Sequence, residues 1–404
     1  MNTNHPINRR SFLGSSVMAG AAAGIAANTG IASAGEPGVK TPGVPLREKF
    51  FGCIAGCHIG SSMGAAVEGW PWSRIEEKYG ALDQLLPYHH YQNLNNWVRE
   101  PGTTEDGVER QKLMITAIIE KGDRVTAEDV RRIWVRDIKP ESIGYVSEPF
   151  EAELLAMAKS PIPAGDIGRY CDYAGLVSMA RSCHPLGLIN AGDVENAIAD
   201  VYEVGRLYQS ANSRGLQWAA VTAAAIAAAT KPEATVDSVT GAILDQCHPP
   251  RNWHVKDAGV AAEIERALKA TEKCADFREL RVAFDALYGG FGIAYAQSYA
   301  NEVVSKAVCV FRMVKGVTLD AIIASVNMGR DTDCLASVAA GISGALSGSG
   351  SIRGEWIQQV DSATRLNRYT NSQRTLRETA DGLYGAFQAK LARMKAYSGE
   401  META

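Results

Sequence analysis

Three short stretches of this chain carry acidic side chains where helices should start or stop. In "GAAVEGWPW", Glu68 closes an apolar, glycine-rich segment. In "EPGTTEDGVERQKLM", Thr104, Glu105 and Asp106 open a helix expected from Val108 onward. In "SVNMGRDTDCLAS", Asp331 and Asp333 stand two residues apart, ahead of the apolar run "LASVAAGISGALSG". Carboxylate and hydroxyl oxygens suit a hard divalent cation, Mg2+, Mn2+ or Ca2+, and not zinc. Each stretch also has a plainer explanation. An acid in the first turn of a helix satisfies orphan N–H groups and complements the helix dipole, and Thr103 with Asp106 could form a variant capping box. Glu68 fits that explanation least, because a carboxylate at a helix C-terminus is electrostatically unfavourable. Within a regular helix Asp331 and Asp333 would point about 200° apart. They converge on one centre only if the helix starts there, in a turn that Gly329 makes available.

The elements that must position these groups read as helices. Helical periodicity marks residues 108–121, 127–135, 150–159, 194–208, 216–229, 257–270, 277–287, 294–314, 319–326, 335–346 and 375–394. Upstream, "REKFFGCIAGCHIGSSMGAAVEG" sets Gly52, Gly56, Gly60 and Gly64 four residues apart, a flat ridge suited to close packing on another helix. No stretch alternates long enough to require a sheet, and no internal repeat is present. The fold class read here is all-α, a single compact multi-helix domain over residues 46–404 that follows a Pro/Gly-rich linker at 35–45.

Composition narrows the function. With 404 residues, 46% of them hydrophobic, the chain can bury a substantial core. Its formal charge is −4, and the first 34 residues contribute Arg9 and Arg10 but no acid, so the remainder is more acidic still. That balance argues against nucleic acid, whose phosphates demand a basic face. The N-terminus reads as a targeting segment: "NRRSFLG" resembles the twin-arginine export motif, and a small-residue stretch ends in Ala32-Ser33-Ala34, an A-x-A cleavage site. Residues 1–34 are therefore expected to be a twin-arginine signal peptide, and the protein to be exported to the periplasm or beyond. The eight cysteines form no C-x-x-C pair and no zinc pattern, so mostly free, buried thiols are expected. The longest apolar stretch of the mature chain, "LQWAAVTAAAIAAAT", is short and alanine-rich, a core helix and not a membrane span.

The three acidic stretches, in this order, resemble the ADP-ribosylglycohydrolase family. "GCIAGCHIGSSMGAAVEG" is similar to its glycine-rich N-terminal helix ending in V-E-G or V-E-F, and "TTEDG" to its T-D-D-T metal motif. "VNMGRDTDCLASVAAGISGALSG" is similar to V-N-x-G-G-D-T-D-T-x-A-x-x-A-G-A-x-x-G-A-x-x-G, and "GLVSMARSCHPLGLI" resembles the family's x-x-x-M-R-x-x-P-L-G segment. The resemblance implies an all-α fold with one or two divalent cations, usually Mg2+ and sometimes Mn2+. It implies Thr104, Glu105, Asp106, Asp331 and Asp333 as ligands, with Glu68 at the centre. Four departures stand out. Glu105 replaces the usual Asp, Cys334 replaces a threonine whose hydroxyl binds the second metal, Ser61 replaces an acid, and Arg330 replaces the second glycine of G-G-D. Where relatives often carry a T-H pair, this chain has Tyr208, Gln209 and Ser210. A neutral thiol is a poor ligand for a hard cation.

The implied chemistry is hydrolysis of a glycosidic bond through an oxocarbenium-like state, with Glu68 or Asp106 activating the water. Substrates implied are ADP-ribosyl conjugates. An exported carbohydrate glycoside or nucleoside hydrolase is the alternative, with Trp70, Trp72, Trp97 and "YHHY" (His89 and His90 at its centre) as contact surfaces, and Arg330 beside them. His89 and His90 read first as exposed loop residues. A non-catalytic sugar- or nucleotide-binding relative is the third possibility, favoured by Cys334 and Glu105.

Overall fold

The computed structural model describes residues 43–90, 96–143, 150–171, 174–211, 213–246, 259–289, 298–366 and 369–403. Their helices are α1 (Leu46–Ala65), α2 (Trp72–Tyr79), α3 (Asp106–Lys121), α4 (Ala127–Asp137), α5 (Glu151–Ala158) and α6 (His184–Ile189). Then come α7 (Val194–Val204), α8 (Arg214–Ala229), α9 (Val236–Gln246), α10 (Val260–Ala270) and α11 (Phe277–Tyr288). The chain ends in α12 (Ala300–Met313), α13 (Thr318–Val326), α14 (Thr332–Ser347), α15 (Gly354–Thr364) and α16 (Leu376–Thr403). The described residues contain no strand, only two isolated antiparallel bridges, Tyr88 with Arg99 and Leu176 with Tyr299. No described helix is long and apolar enough to cross a membrane. The expected signal segment, most of the linker, Tyr91 and the expected helix starts at 257 and 294 lie outside the described residues.

The glycine ridge sets the architecture. α1 is buried almost throughout and runs antiparallel to α14. A β-carbon on Gly52 would come 2.6 Å from the Gly344 carbonyl oxygen, on Gly56 2.5 Å from that of Ala340, and on Gly60 2.8 Å from that of Ala336. On Gly64 it would lie 2.5 Å from the Asp333 nitrogen. The two backbones therefore touch at four-residue steps, and any side chain on this face would force them apart. Thr332 Oγ1 closes the ladder by donating to the Gly64 carbonyl at 2.7 Å. This register brings the end of α1, with Glu68 just beyond it, to the start of α14, with Asp331 and Asp333.

Several boundaries differ from those that periodicity implies. α1 stops at Ala65, so Glu68 lies in the following turn and escapes the helix dipole that would disfavour it. α7 ends at Val204, where Gly205 begins a 3₁₀ turn to Leu207. α2, α6, α9 and α15 add to the helices that periodicity marks. The seven described cysteines are free, and all but Cys274 are buried.

Candidate active site

The turn before α14 is built by two consecutive residues in the left-handed region, Gly329 (φ 74°) and Arg330 (φ 68°). A β-carbon at position 329 would meet the Trp72 nitrogen at 2.5 Å, so this turn must lie directly on the Trp70–Trp72 backbone. Arg330 N donates to Trp70 O at 2.7 Å and Gly69 N donates to Arg330 O at 2.8 Å, which locks the Glu68 turn to the Asp331 turn. Arg330 tolerates its strained backbone because its guanidinium is anchored on Glu302, at 2.7 Å to Oε1 and 3.2 Å to Oε2.

Asp331 is the N-cap residue of α14, yet its side chain makes no capping bond. Both of its carboxylate oxygens are buried without a hydrogen-bond partner, as is Asp333 Oδ1. The residues are 3% and 0% exposed. Helix capping therefore does not explain these acids. Burial, reinforced by the Glu68 charge, raises both above the ordinary carboxylate range, Asp333 well above it. One ligand atom from each of Asp331, Asp333 and Cys334 lies within 4.8 Å of the other two. Unsatisfied carboxylate oxygens converging in a buried spot are what a hard cation requires, and the donor set fits one.

The second stretch is used differently. Glu105 is the N-cap of α3 and its carboxylate accepts four donors: Gly107 N at 2.6 Å, Val108 N at 3.1 Å, Ser61 Oγ at 2.8 Å and Arg181 Nη1 at 2.9 Å. That fills its lone pairs. Thr104 Oγ1 donates to Glu109 Oε1 at 2.7 Å and accepts from Lys112 Nζ at 2.9 Å. Two of the three residues of this stretch implied as ligands, Thr104 and Glu105, are thus engaged elsewhere. Asp106 accepts from Arg181 Nη2 at 2.5 Å, with Arg110 Nη2 3.4 Å from the same oxygen. Burial opposes its ionisation, but the two guanidiniums outweigh it and hold Asp106 far below the usual range. One guanidinium, that of Arg181, thereby joins stretches two and three: its Nη1 also donates to Cys334 Sγ at 3.3 Å and lies 3.8 Å from Asp333 Oδ2.

A small cleft of about 70 Å³ opens onto Asp106 and Arg181, lined also by Glu68, His90, Ser178 and Ser298 among others; Asp331 and Asp333 do not line it. His90 is not a free loop residue: its Nε2 lies 2.8 Å from Glu68 Oε2, in a half-buried pair. Burial pushes Glu68 up, but the His90 charge and hydrogen bond outweigh it and hold the carboxyl below its ordinary value. The same pairing raises His90 against its own burial. The Tyr88–Arg99 bridge holds the His90 loop in place, and the Leu176–Tyr299 bridge joins the segments carrying Ser178 and Ser298. A larger cavity, about 560 Å³, lies at the opposite end of the α1–α14 pair between Lys49, Lys231 and Lys315, far from this chemistry.

The aromatic candidates are engaged by the protein itself. Trp70 is covered by the Arg74 guanidinium at 3.7 Å and stacks on Tyr79. Trp72 Nε1 donates to Asp285 at 2.7 Å beneath Arg281. Trp97 is half-buried with Arg99 5.2 Å from its ring, and His89 is half-buried. Arg181, by contrast, has no role that the sequence alone assigns. Its signal is the arginine inside "VSMARSCHPLG", the stretch that resembles the family's x-x-x-M-R-x-x-P-L-G segment.

A model of the ADP-ribosylglycohydrolase family matches residues 42–392. The chain belongs to the ADP-ribosylglycohydrolase family. It is 25% identical over 336 residues to the uncharacterized protein YegU of Escherichia coli (strain K12), covering 80% of this chain and 96% of YegU. A solved structure described as an ADP-ribosylglycohydrolase-related protein complex aligns with a TM-score of 0.58 at 16% identity, over 85% of this chain and 98% of its own. The all-helical fold is therefore shared with the family, and family membership points to a glycohydrolase.

Proposed function

We propose that the protein hydrolyses an N- or O-glycosidic bond with a divalent cation held by Asp331 and Asp333, Mg2+ first, with Mn2+ or Ca2+ as alternatives. The observation that carries this reading is the set of buried, partnerless oxygens on Asp331 and Asp333 beside a cleft lined by Glu68 and Asp106. When bound, the cation would supply Lewis-acid binding of sugar hydroxyls and of a water. The chain's own residues divide the remaining work. Asp106, held by two arginines, is too weak a base to take a proton and serves as a fixed negative charge. Glu68 faces the cleft, is ionised beside His90, and is the group placed to accept a proton from the attacking water. The negative charge of both acids favours an oxocarbenium-like sugar.

The substrate class is an ADP-ribosyl conjugate, nucleoside or other small glycoside. The test is hydrolysis of each class by the mature protein, dialysed against a chelator and then supplied with Mg2+, Mn2+ or Ca2+. Cation-dependent turnover of one class is expected, and turnover unaffected by chelation would overturn the reading. A non-catalytic sugar- or nucleotide-binding role is the second reading, favoured because Arg181 is already paired with Glu105 and Asp106. Absence of turnover on every class, with ligand binding intact, would select it. We also propose that residues 1–34 direct twin-arginine export, so that the enzyme works in the periplasm or outside the cell. A mature N-terminus at Gly35, and loss of export on Arg9→Lys with Arg10→Lys, are expected.

A further inference from the structure

We infer that this centre takes a single divalent cation, on Asp331 and Asp333, and that Arg181 supplies a built-in positive charge where a second cation would otherwise sit. The inference rests on the cation-dependent reading above and deepens it. The acidic cluster has two halves. In one, Asp331 and Asp333 leave three buried oxygens without a partner. In the other, Glu105 and Thr104 are engaged by the protein's own groups. Glu105 takes four donors, and Thr104 is held between Lys112 and Glu109. Arg181 spans Glu105 at 2.9 Å, Asp106 at 2.5 Å and Cys334 Sγ at 3.3 Å.

The position of Arg181 is built in, not borrowed. α3 begins Asp106-Gly107, and a β-carbon on Gly107 would lie 2.6 Å from Arg181 Cδ, so the first turn of α3 is left bare for this side chain. Its guanidinium is buried and stays protonated at any physiological pH. A second dication there would have to displace that charge, strip Glu105 of its backbone donors and accept a neutral thiol as ligand. A lone arginine inside a buried segment, and a cysteine in place of a hydroxyl, thus serve one arrangement.

The experiment counts Mn2+ bound to the mature protein after equilibrium dialysis at saturating concentration, and records the Mn2+ magnetic resonance spectrum. One ion per chain with an uncoupled spectrum is expected. In Arg181→Gln combined with Cys334→Thr the count should double, and the spectrum should show a coupled pair. Arg181→Gln alone and Arg181→Lys guard against a variant that does not fold, the Lys form keeping a single ion. Two coupled ions in the unaltered protein would overturn the inference while leaving the cation-dependent reading standing. A count that stays at one in a folded variant carrying Arg181→Gln would also overturn it. No bound ion at all would overturn both.

Discussion

At Glu68 and Asp331 the local environments set opposite charge preferences, and two outcomes follow. Glu68→Gln keeps the shape and one hydrogen-bond acceptor for His90 but cannot take a proton. Turnover should fall by about 10²–10⁴-fold, the usual worth of a general base, with cation binding little changed in calorimetry. Turnover within a few-fold of the parent would remove Glu68 from the reaction. The second outcome concerns pH. Burial raises Asp331 and Asp333, so the cation-free folded protein holds protons that the unfolded chain has released. Stability from these groups is fully present below the ordinary carboxylate pKa and is lost as pH rises through their folded values. A cation needs both acids ionised and restores what is lost. The gap in melting temperature between protein in excess Mg2+ and protein in chelator should therefore widen as pH rises from acid to neutral. A gap constant across that range would mean the cation binds elsewhere.

The α1–α14 ladder makes the site depend on single β-carbons. Gly60→Ala would set a methyl 2.8 Å from the Ala336 carbonyl, and neither backbone can yield without moving the start of α14. Overpacking of this kind costs roughly 1–3 kcal/mol, and the same shift should weaken cation affinity. Gly241→Ala in α9 meets nothing within 4 Å and should instead stabilise by about 0.5–1 kcal/mol without touching affinity. Paired melts and cation titrations would expose the difference, and equal effects of the two substitutions would dissolve the link between ladder and site. The four-residue glycine spacing was legible in the sequence as a flat face, but nothing local named its partner. The turn at Gly329 was legible too, because only a break there lets Asp331 and Asp333 converge. Short elements were not. α6 is six residues, all buried, and so has no amphipathic period. α2 follows Pro71 and fully buries only Ile75. The partners of Arg181 were illegible for another reason: they lie on α3 and α14, and which acids an arginine reaches is a property of packing, not of spacing.

Beneath the site a buried polar chain ties four helices together. His58 Nε2 meets Gln111 Oε1 at 2.9 Å, Gln111 Nε2 meets His184 Nδ1 at 3.2 Å, and His184 Nε2 meets the Ser337 carbonyl at 2.9 Å. With the Gln111 side-chain oxygen and the Ser337 carbonyl as acceptors, both histidines donate from Nε2. Burial, chiefly, lowers His58 to about 3 and His184 to about 4. Here the unfolded chain binds the extra protons, so stability is complete above the ordinary histidine value near 6.5 and is lost as pH falls toward 4. The loss should amount to a few kcal/mol, at about 1.4 kcal/mol for each tenfold difference in proton affinity between the folded and unfolded chain, and His184→Asn should flatten the slope. Melts from pH 7 to 4 would show it, and a slope identical in the variant would assign the acid sensitivity to other groups.

The pairing of α1 with α14 also has a consequence in time. The first described helix pairs with the third-last described helix, so the closure entropy of a long intervening chain must be met before the ladder rewards it. Until α14 emerges, the glycine face of α1 lacks its partner, and that is the species prone to aggregate or to meet a chaperone. Chains truncated before residue 332 should accordingly remain protease-sensitive throughout α1, whereas loss of only the tail of α16, which is exposed beyond residue 392, should leave that helix protected. Limited proteolysis of the two truncations would separate these cases. Glu68 and the acids of α14 meet only once α14 has docked, so a chain lacking α14 should not hold the proposed cation.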